Sequence, residues 1–153
     1  MIYEFCAENV TLLEKAMQAG ARRIELCDNL VVGGTTPSYG VTKVAVELAA
    51  NYNTTIMTMI RPRGGDFVYN DLEIAIMLED IRLTAQAGSQ GVVFGVLTAE
   101  KKLDKDNLEK LIAASKGMEI VFHMAFDELS DEDQLEAIDW LSQAGVTRIL
   151  TRA

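Results

Sequence analysis

The 153-residue chain is 49% hydrophobic and 24% charged, the balance of a folded domain able to bury a core rather than of a disordered chain. Its net charge of −9 at pH 7 repels phosphate backbones and anionic lipid, which argues against nucleic acid and membrane surfaces as partners. No apolar run approaches a membrane span, and the opening Met1-Ile2-Tyr3-Glu4-Phe5-Cys6 has no basic segment ahead of an apolar one, so the expectation is a cytoplasmic protein whose two cysteines stay reduced.

In chain order, the first strand is expected over residues 2–6 and the second over 23–27. Between them Gln18-Ala19-Gly20 reads as a helix stop, with glycine at the left-handed position past the last turn. The same phrase recurs as Gln86-Ala87-Gly88 before Val92-Val93-Phe94-Gly95 and as Gln143-Ala144-Gly145 before Ile149-Leu150-Thr151. Thr36-Pro37 is expected to start the helix through Val44, Val46 and Leu48. Further helices are predicted behind the capping box Asn70-x-x-Glu73, behind Asp104 or Asp106, and behind Ser130-x-x-Asp133. Four more strands fall near 55–61, 92–95, 120–123 and 147–151.

Strict alternation of strand and helix means a parallel sheet. A doubly wound sheet is disfavoured because Phe5-Cys6-Ala7-Glu8-Asn9 lacks the glycines of a dinucleotide turn. The expected fold is therefore an α/β, parallel (β/α)8 TIM-type barrel, forming one domain over residues 1–153. An eight-unit barrel takes roughly 250 residues, so only about six of the eight strand-helix units fit, and the last C-terminal units are missing.

Side chains alternate along a strand, so Glu4, Cys6, Arg23, Glu25, Cys27, Met57, Met59, Arg61, Val121, His123 and Thr151 are expected inside the barrel, with Ile24, Leu26, Ile56 and Ile60 towards the helices. The C-terminal strand ends and the loops after them build the site of such a fold. That rule selects Cys6, Cys27, Arg61, His123 and Thr151, with the loops Gly33-Gly34-Thr35-Thr36-Pro37-Ser38, Arg61-Pro62-Arg63-Gly64-Gly65-Asp66-Phe67 and Ala125-Phe126-Asp127.

Four stretches carry a more specific likeness: Ile24-Glu25-Leu26-Cys27, Gly33-Gly34-Thr35-Thr36-Pro37-Ser38, Met59-Ile60-Arg61-Pro62-Arg63-Gly64-Gly65 and Phe122-His123-Met124-Ala125-Phe126-Asp127. Through them the whole chain resembles the CutC copper-homeostasis family. The resemblance implies a cytoplasmic barrel, dimeric or larger, with copper(I) as its ligand and Cys6 and Cys27 matching the ligands of copper-binding members. No nucleotide or organic cofactor is indicated.

Two functions follow. In the first, Cys6 and Cys27 on adjoining strands hold Cu(I), a soft ion that prefers sulfur, with Met57 and Met59 able to add thioether donors. In the second, the barrel is an enzyme acting on a small anionic metabolite. Arg61, Arg63, Thr35, Thr36 and Ser38 then bind the anion, and His123, Glu25 and Asp127 exchange protons. Against both stands ordinary structure: cysteine and methionine fill cores, Arg23, Glu4 and Glu25 form an interior ion network, and arginine ties loops together.

Overall fold

Each of the three Gln-Ala-Gly phrases ends a helix in left-handed backbone, with φ of +107° at Gly20, +90° at Gly88 and +96° at Gly145. This is the geometry the sequence pattern requires, and a side chain there would be strained. The computed structural model describes residues 1–152. Six strands, β1 (Glu4–Glu8), β2 (Arg23–Cys27), β3 (Thr55–Met59), β4 (Gly91–Phe94), β5 (Glu119–Phe122) and β6 (Arg148–Ile149), pair in chain order, every pair parallel. The helices α1 (Leu13–Gln18), α2 (Tyr39–Ala50), α3 (Asp71–Gln86), α4 (Lys105–Ala114) and α5 (Asp131–Ala144) make the crossovers. The sheet curls into part of a (β/α) barrel, with helices on its convex side.

Local chemistry sets the helix starts. Asn70 Oδ1 accepts from Glu73 N at 2.9 Å while Asn70 N donates to Glu73 Oε2 at 3.0 Å, closing the predicted capping box of α3. Ser130 Oγ accepts from Asp133 N, and Asp104 rather than Asp106 caps α4. The expected start of α2 at Thr36-Pro37 is corrected: Ser38 is the cap, accepting from Val41 N at 3.1 Å. Thr36 is held elsewhere, because its hydroxyl accepts from Arg61 N at 2.8 Å and donates to Arg61 O at 3.1 Å.

Burial follows the alternation. Ile24, Leu26 and Ile56 pack on Leu13, Met17 and Ala45 of α1 and α2. Ile60, Val92, Phe94, Ile120 and Phe122 pack on α3, α4 and α5 through Ile74, Met77, Ile81, Leu108 and Leu141. The concave face carries Cys27, Met57, Met59, Val93 and Val121, with Leu150 against them. In β6 the expected phase is reversed. Arg148 pairs in register with Val121 and reaches Met57 and Glu119 across the concave face, whereas Thr151 is exposed. A residue's face in β6 depends on how the chain leaves Gly145, a loop that local periodicity does not encode.

Candidate functional site

β1 and β2 carry the sulfur donors. Cys6 lies opposite Glu25, and Cys27 lies opposite Glu8, so the two cysteines are diagonal neighbours with the Glu25 carboxylate between them. Glu25 Oε1 is 3.8 Å from each Sγ. One ligand atom from each of Cys6, Glu25 and Cys27 falls within 4.8 Å of the others. Cys27 is fully buried, while Cys6, on the edge strand, is exposed.

Electrostatics separate the two thiols. The Cys27 thiol beside it holds Cys6 below the usual thiol range, whereas that same pairing, with burial and Glu25, pushes Cys27 up. Both sulfurs must lose their protons to ligate a metal, so binding is expected to release protons. Metal–thiolate bonds of about 2.3 Å place two sulfurs at most roughly 4.6 Å apart on one ion, so the cluster needs only small adjustment to chelate. Two soft sulfurs and one carboxylate fit Cu(I) better than a hard cation. Met57 stands opposite Glu25 in β3, but its Sδ accepts from Arg148 Nη2 at 3.5 Å.

The same Glu25 lines a cavity of about 240 Å³ whose wall also contains Met59, Arg61, Phe67, His123 and Glu128. Arg61, at the end of β3, is 5% exposed. Its Nη1 donates to Val32 O at 2.7 Å and Gly34 O at 3.0 Å, its Nη2 donates to Gly65 O at 2.8 Å, and its guanidinium stacks on Phe67. The loops after β2 and β3 are thus tied through one arginine. Its Nε and the neighbouring Tyr69 hydroxyl are buried without partners.

His123 follows β5 and begins the 3-10 turn Met124–Glu128. Its Nδ1 accepts from Ala125 N at 3.1 Å, which leaves the proton of the neutral ring on Nε2, and Nε2 is buried with no partner. The ring packs 4.9 Å from Phe67 and fits because residue 95 is glycine: a Cβ there would stand 2.6 Å from His123 Cε1. Gly95→Ala is expected to displace the imidazole and cost about 1–3 kcal/mol, measurable by urea unfolding together with the shifted ring signals of this sole histidine.

The remaining candidates are parted from the cavity. Arg63 pairs with Glu73 and Asp66, Thr35 exchanges backbone hydrogen bonds with Asp28, Thr36 holds the Arg61 backbone and Ser38 caps α2. Asp127, expected beside His123, is turned away by the 3-10 turn and accepts from Arg152 N at 2.9 Å, so Glu128 and not Asp127 reaches the cavity wall. Glu4 and Arg23 form the anticipated ion pair, without Glu25. Sequence reasoning placed Phe67 in the site loop but did not group Glu25 with the two cysteines, and it missed Glu128 as a cavity wall. For Glu25 the signal was available, since it sits two residues from Cys27 on the same face.

A profile of the CutC family matches residues 1–153. A CutC family protein of Enterococcus faecalis is 54% identical over 151 residues, covering 99% of this chain and 72% of its own length. The chain belongs to the CutC family. A crystal structure of CutC from Streptococcus agalactiae, a protein whose name refers to copper homeostasis, superposes with a TM-score of 0.95 at 49% identity, over 99% of this chain and 72% of that one. An archaeal fructose 1,6-bisphosphate aldolase, 16% identical with a TM-score of 0.65 over 90% of this chain and 52% of its own, shares the barrel fold alone. Among the described residues of this CutC chain no helix is long and apolar enough to cross a membrane.

The two central acids and bases of the site titrate in opposite senses. Burial, then the charge of Glu4, pushes the Glu25 carboxyl up to about 7 from 4.5, so between those values the folded chain keeps a proton that the unfolded chain releases. Stability from this group is present at low pH and falls as pH rises through 7, by about 3 kcal/mol. Burial, then Arg61, holds His123 down to about 3, so stability falls as pH drops from about 6.5 towards 3. In urea unfolding of the metal-free protein the two opposing slopes overlap and largely offset between about 4.5 and 6.5, so Glu25→Gln is expected to leave a stability that rises with pH from about 3 to 6.5, and His123→Gln one that falls with pH from about 4.5 to 7. Parallel pH profiles for wild type and both variants would contradict this.

Proposed function

We propose that this CutC protein handles copper by binding Cu(I) between Cys6 and Cys27, with Glu25 as the nearby oxygen donor. The observation that carries this reading is the convergence of two sulfurs and one carboxylate within 4.8 Å on neighbouring strands, one sulfur buried and one open to solvent. The Cys6 thiolate would bond first to Cu(I) carried by a donor, displacing one donor ligand, and Cys27 would then complete the chelate as the second donor ligand leaves. Ligand exchange of this kind is redox-neutral, so no group in the cluster must be reduced or oxidised for it. The reading carries with it a reducing, cytoplasmic setting in which both thiols survive. It also carries self-association as a dimer or larger, which the family resemblance implies.

The test is anaerobic titration with Cu(I) against a competing chelator. One equivalent bound tightly by the wild type and none by a Cys6→Ala/Cys27→Ala double variant is the expected result. Equal binding by the two proteins would end the proposal. The catalytic reading is less well supported, because Asp127 is not in reach to relay a proton through His123. What the cavity retains of it is its pairing of a buried cation with a buried donor.

A further inference from the structure

The loop after β2 holds three consecutive apolar residues in water. Leu30, Val31 and Val32 are all exposed, Val31 by 94%, and such a run is a liability to a soluble chain unless something binds it. The loop is not slack. Asn29 (φ +48°) and Gly33 (φ +93°) bend it through left-handed backbone, and Gly34 N donates to Asn29 O at 3.2 Å. Leu30 N donates to Glu8 Oε2 of β1, and Arg61 Nη1 at the end of β3 donates to Val32 O at 2.7 Å. A turn pinned from both sides presents its apolar tip preorganised, so little backbone freedom is left to lose on binding.

The turn adjoins both parts of the site. A Cβ at Gly34 would stand 3.0 Å from Cys27 Sγ and 3.7 Å from Leu30 Cδ2, so the turn lies one residue's breadth from the buried sulfur. Val32 also joins Met59, Phe67, Met124 and Leu150 in the wall of the cavity of about 240 Å³. Arg61 Nε and His123 Nε2 are closed off within the protein and the Arg61 Nη atoms serve carbonyls, so this cavity suits an apolar side chain rather than an anion. Charge on the sulfur side has one sign. Residues 6–12 and 25–38 carry Glu8, Glu25 and Asp28 with no lysine or arginine, and the 3-10 turn adds Asp127 and Glu128. The exposed cations of this end, Lys101, Lys102 and Arg152, belong to the loops after β4 and β6.

We propose that the Leu30–Val32 turn and the cavity mouth beside it dock the protein that delivers Cu(I). That partner carries the ion on two thiolates and presents one large apolar side chain, for the cavity, within a lysine- or arginine-rich face. This rests on the copper reading and adds the partner to it. An apolar anchor seated in a pocket supplies affinity, while the oppositely charged rim supplies encounter rate and selectivity. Docking there sets the donor's metal beside the sulfur pair. Each Cu–S bond formed on this chain replaces one broken on the donor, the thiol protons of Cys6 and Cys27 pass to the donor's freed thiolates, and copper stays Cu(I).

The probe is a synthetic peptide with a Cys-Gly-Gly-Cys copper loop, a leucine and flanking lysines; its control has glutamate for every lysine. Titrated metal-free and anaerobically into ¹⁵N-labelled metal-free protein, the lysine peptide is expected to shift the amide signals of residues 30–34 and of Met124 saturably. The glutamate peptide is expected to bind at least about tenfold more weakly. Loaded with Cu(I), the lysine peptide should pass the ion to Val31→Ser about tenfold more slowly than to wild type, since an anchoring contact is lost. Both proteins should hold Cu(I) equally in competition with a small chelator, because Val31 is no part of the metal cluster. Shifts confined to other surfaces, equal binding of the two peptides, or wild-type transfer into Val31→Ser would each overturn the proposal. Broadening at residues 30–32 that depends only on protein concentration would assign the turn to a second copy of this chain instead. Docking of the lysine peptide on a protein that takes no Cu(I) would end the copper reading and leave the docking surface, whereas Cu(I) uptake without docking would end this proposal alone.

Discussion

Arg61→Lys is expected to destabilise the fold by about 3 kcal/mol or more, despite keeping the charge. The wild-type guanidinium forks between Val32 O, Gly34 O and Gly65 O and lies over the Phe67 ring, 5.1 Å from its centroid. A lysine ammonium is a point donor that cannot span three carbonyls or stack, and hydrogen bonds from a charged group contribute about 1.5–3 kcal/mol each. Losing two of them, in loops that also hold the Thr36 anchor, gives that estimate. Urea unfolding checks it, and a change under 1 kcal/mol would show that solvent satisfies these carbonyls as well as the arginine does. Because Arg61 Nη1 also holds Gly34 O, its loss should loosen Gly34, where an added Cβ would stand 3.0 Å from Cys27 Sγ.

Cys27→Ala is expected to weaken Cu(I) binding by more than about 100-fold while leaving the fold intact. Losing even an outer partner of a metal ligand costs 10–100-fold, and Cys27 is the buried half of the sulfur pair. The substitution removes one atom from a site packed by Met57, Met59 and Val93, a small cavity cost that circular dichroism and thermal unfolding can separate from metal loss. Glu25→Gln should act more mildly on Cu(I), since the ion's preference for sulfur makes the carboxylate the weaker donor. Competition titration of the two variants in parallel gives the ranking, and a larger loss in Glu25→Gln than in Cys27→Ala would reverse the roles assigned to them.

The parts of this molecule legible in its sequence are those set by local geometry. Glycine stops at Gly20, Gly88 and Gly145, the Asn70-Glu73 capping box and the inward or outward sense of β1 to β5 follow from a few neighbouring residues. The phase of β6 was not legible, because it depends on how Thr147 N docks on Ile120 O after the turn at Gly145. Cys6 and Cys27 could be placed on adjoining strands, but their diagonal offset and the bridging place of Glu25 come from the register between β1 and β2. Asp127 looked close to His123 by spacing, and the 3-10 turn between them rotated it towards Arg152. Arg61 was recognised as a loop tie or an anion clamp; it ties the loops by carbonyls rather than through Asp66 or Asp127.

The most direct measurement of the copper site is X-ray absorption at the copper edge on protein loaded anaerobically with one equivalent of Cu(I). Two sulfur neighbours at thiolate distance in the wild type, falling to one in Cys6→Ala and in Cys27→Ala, is the result predicted. A shell of nitrogen and oxygen only, unchanged in the variants, would contradict copper handling by Cys6 and Cys27.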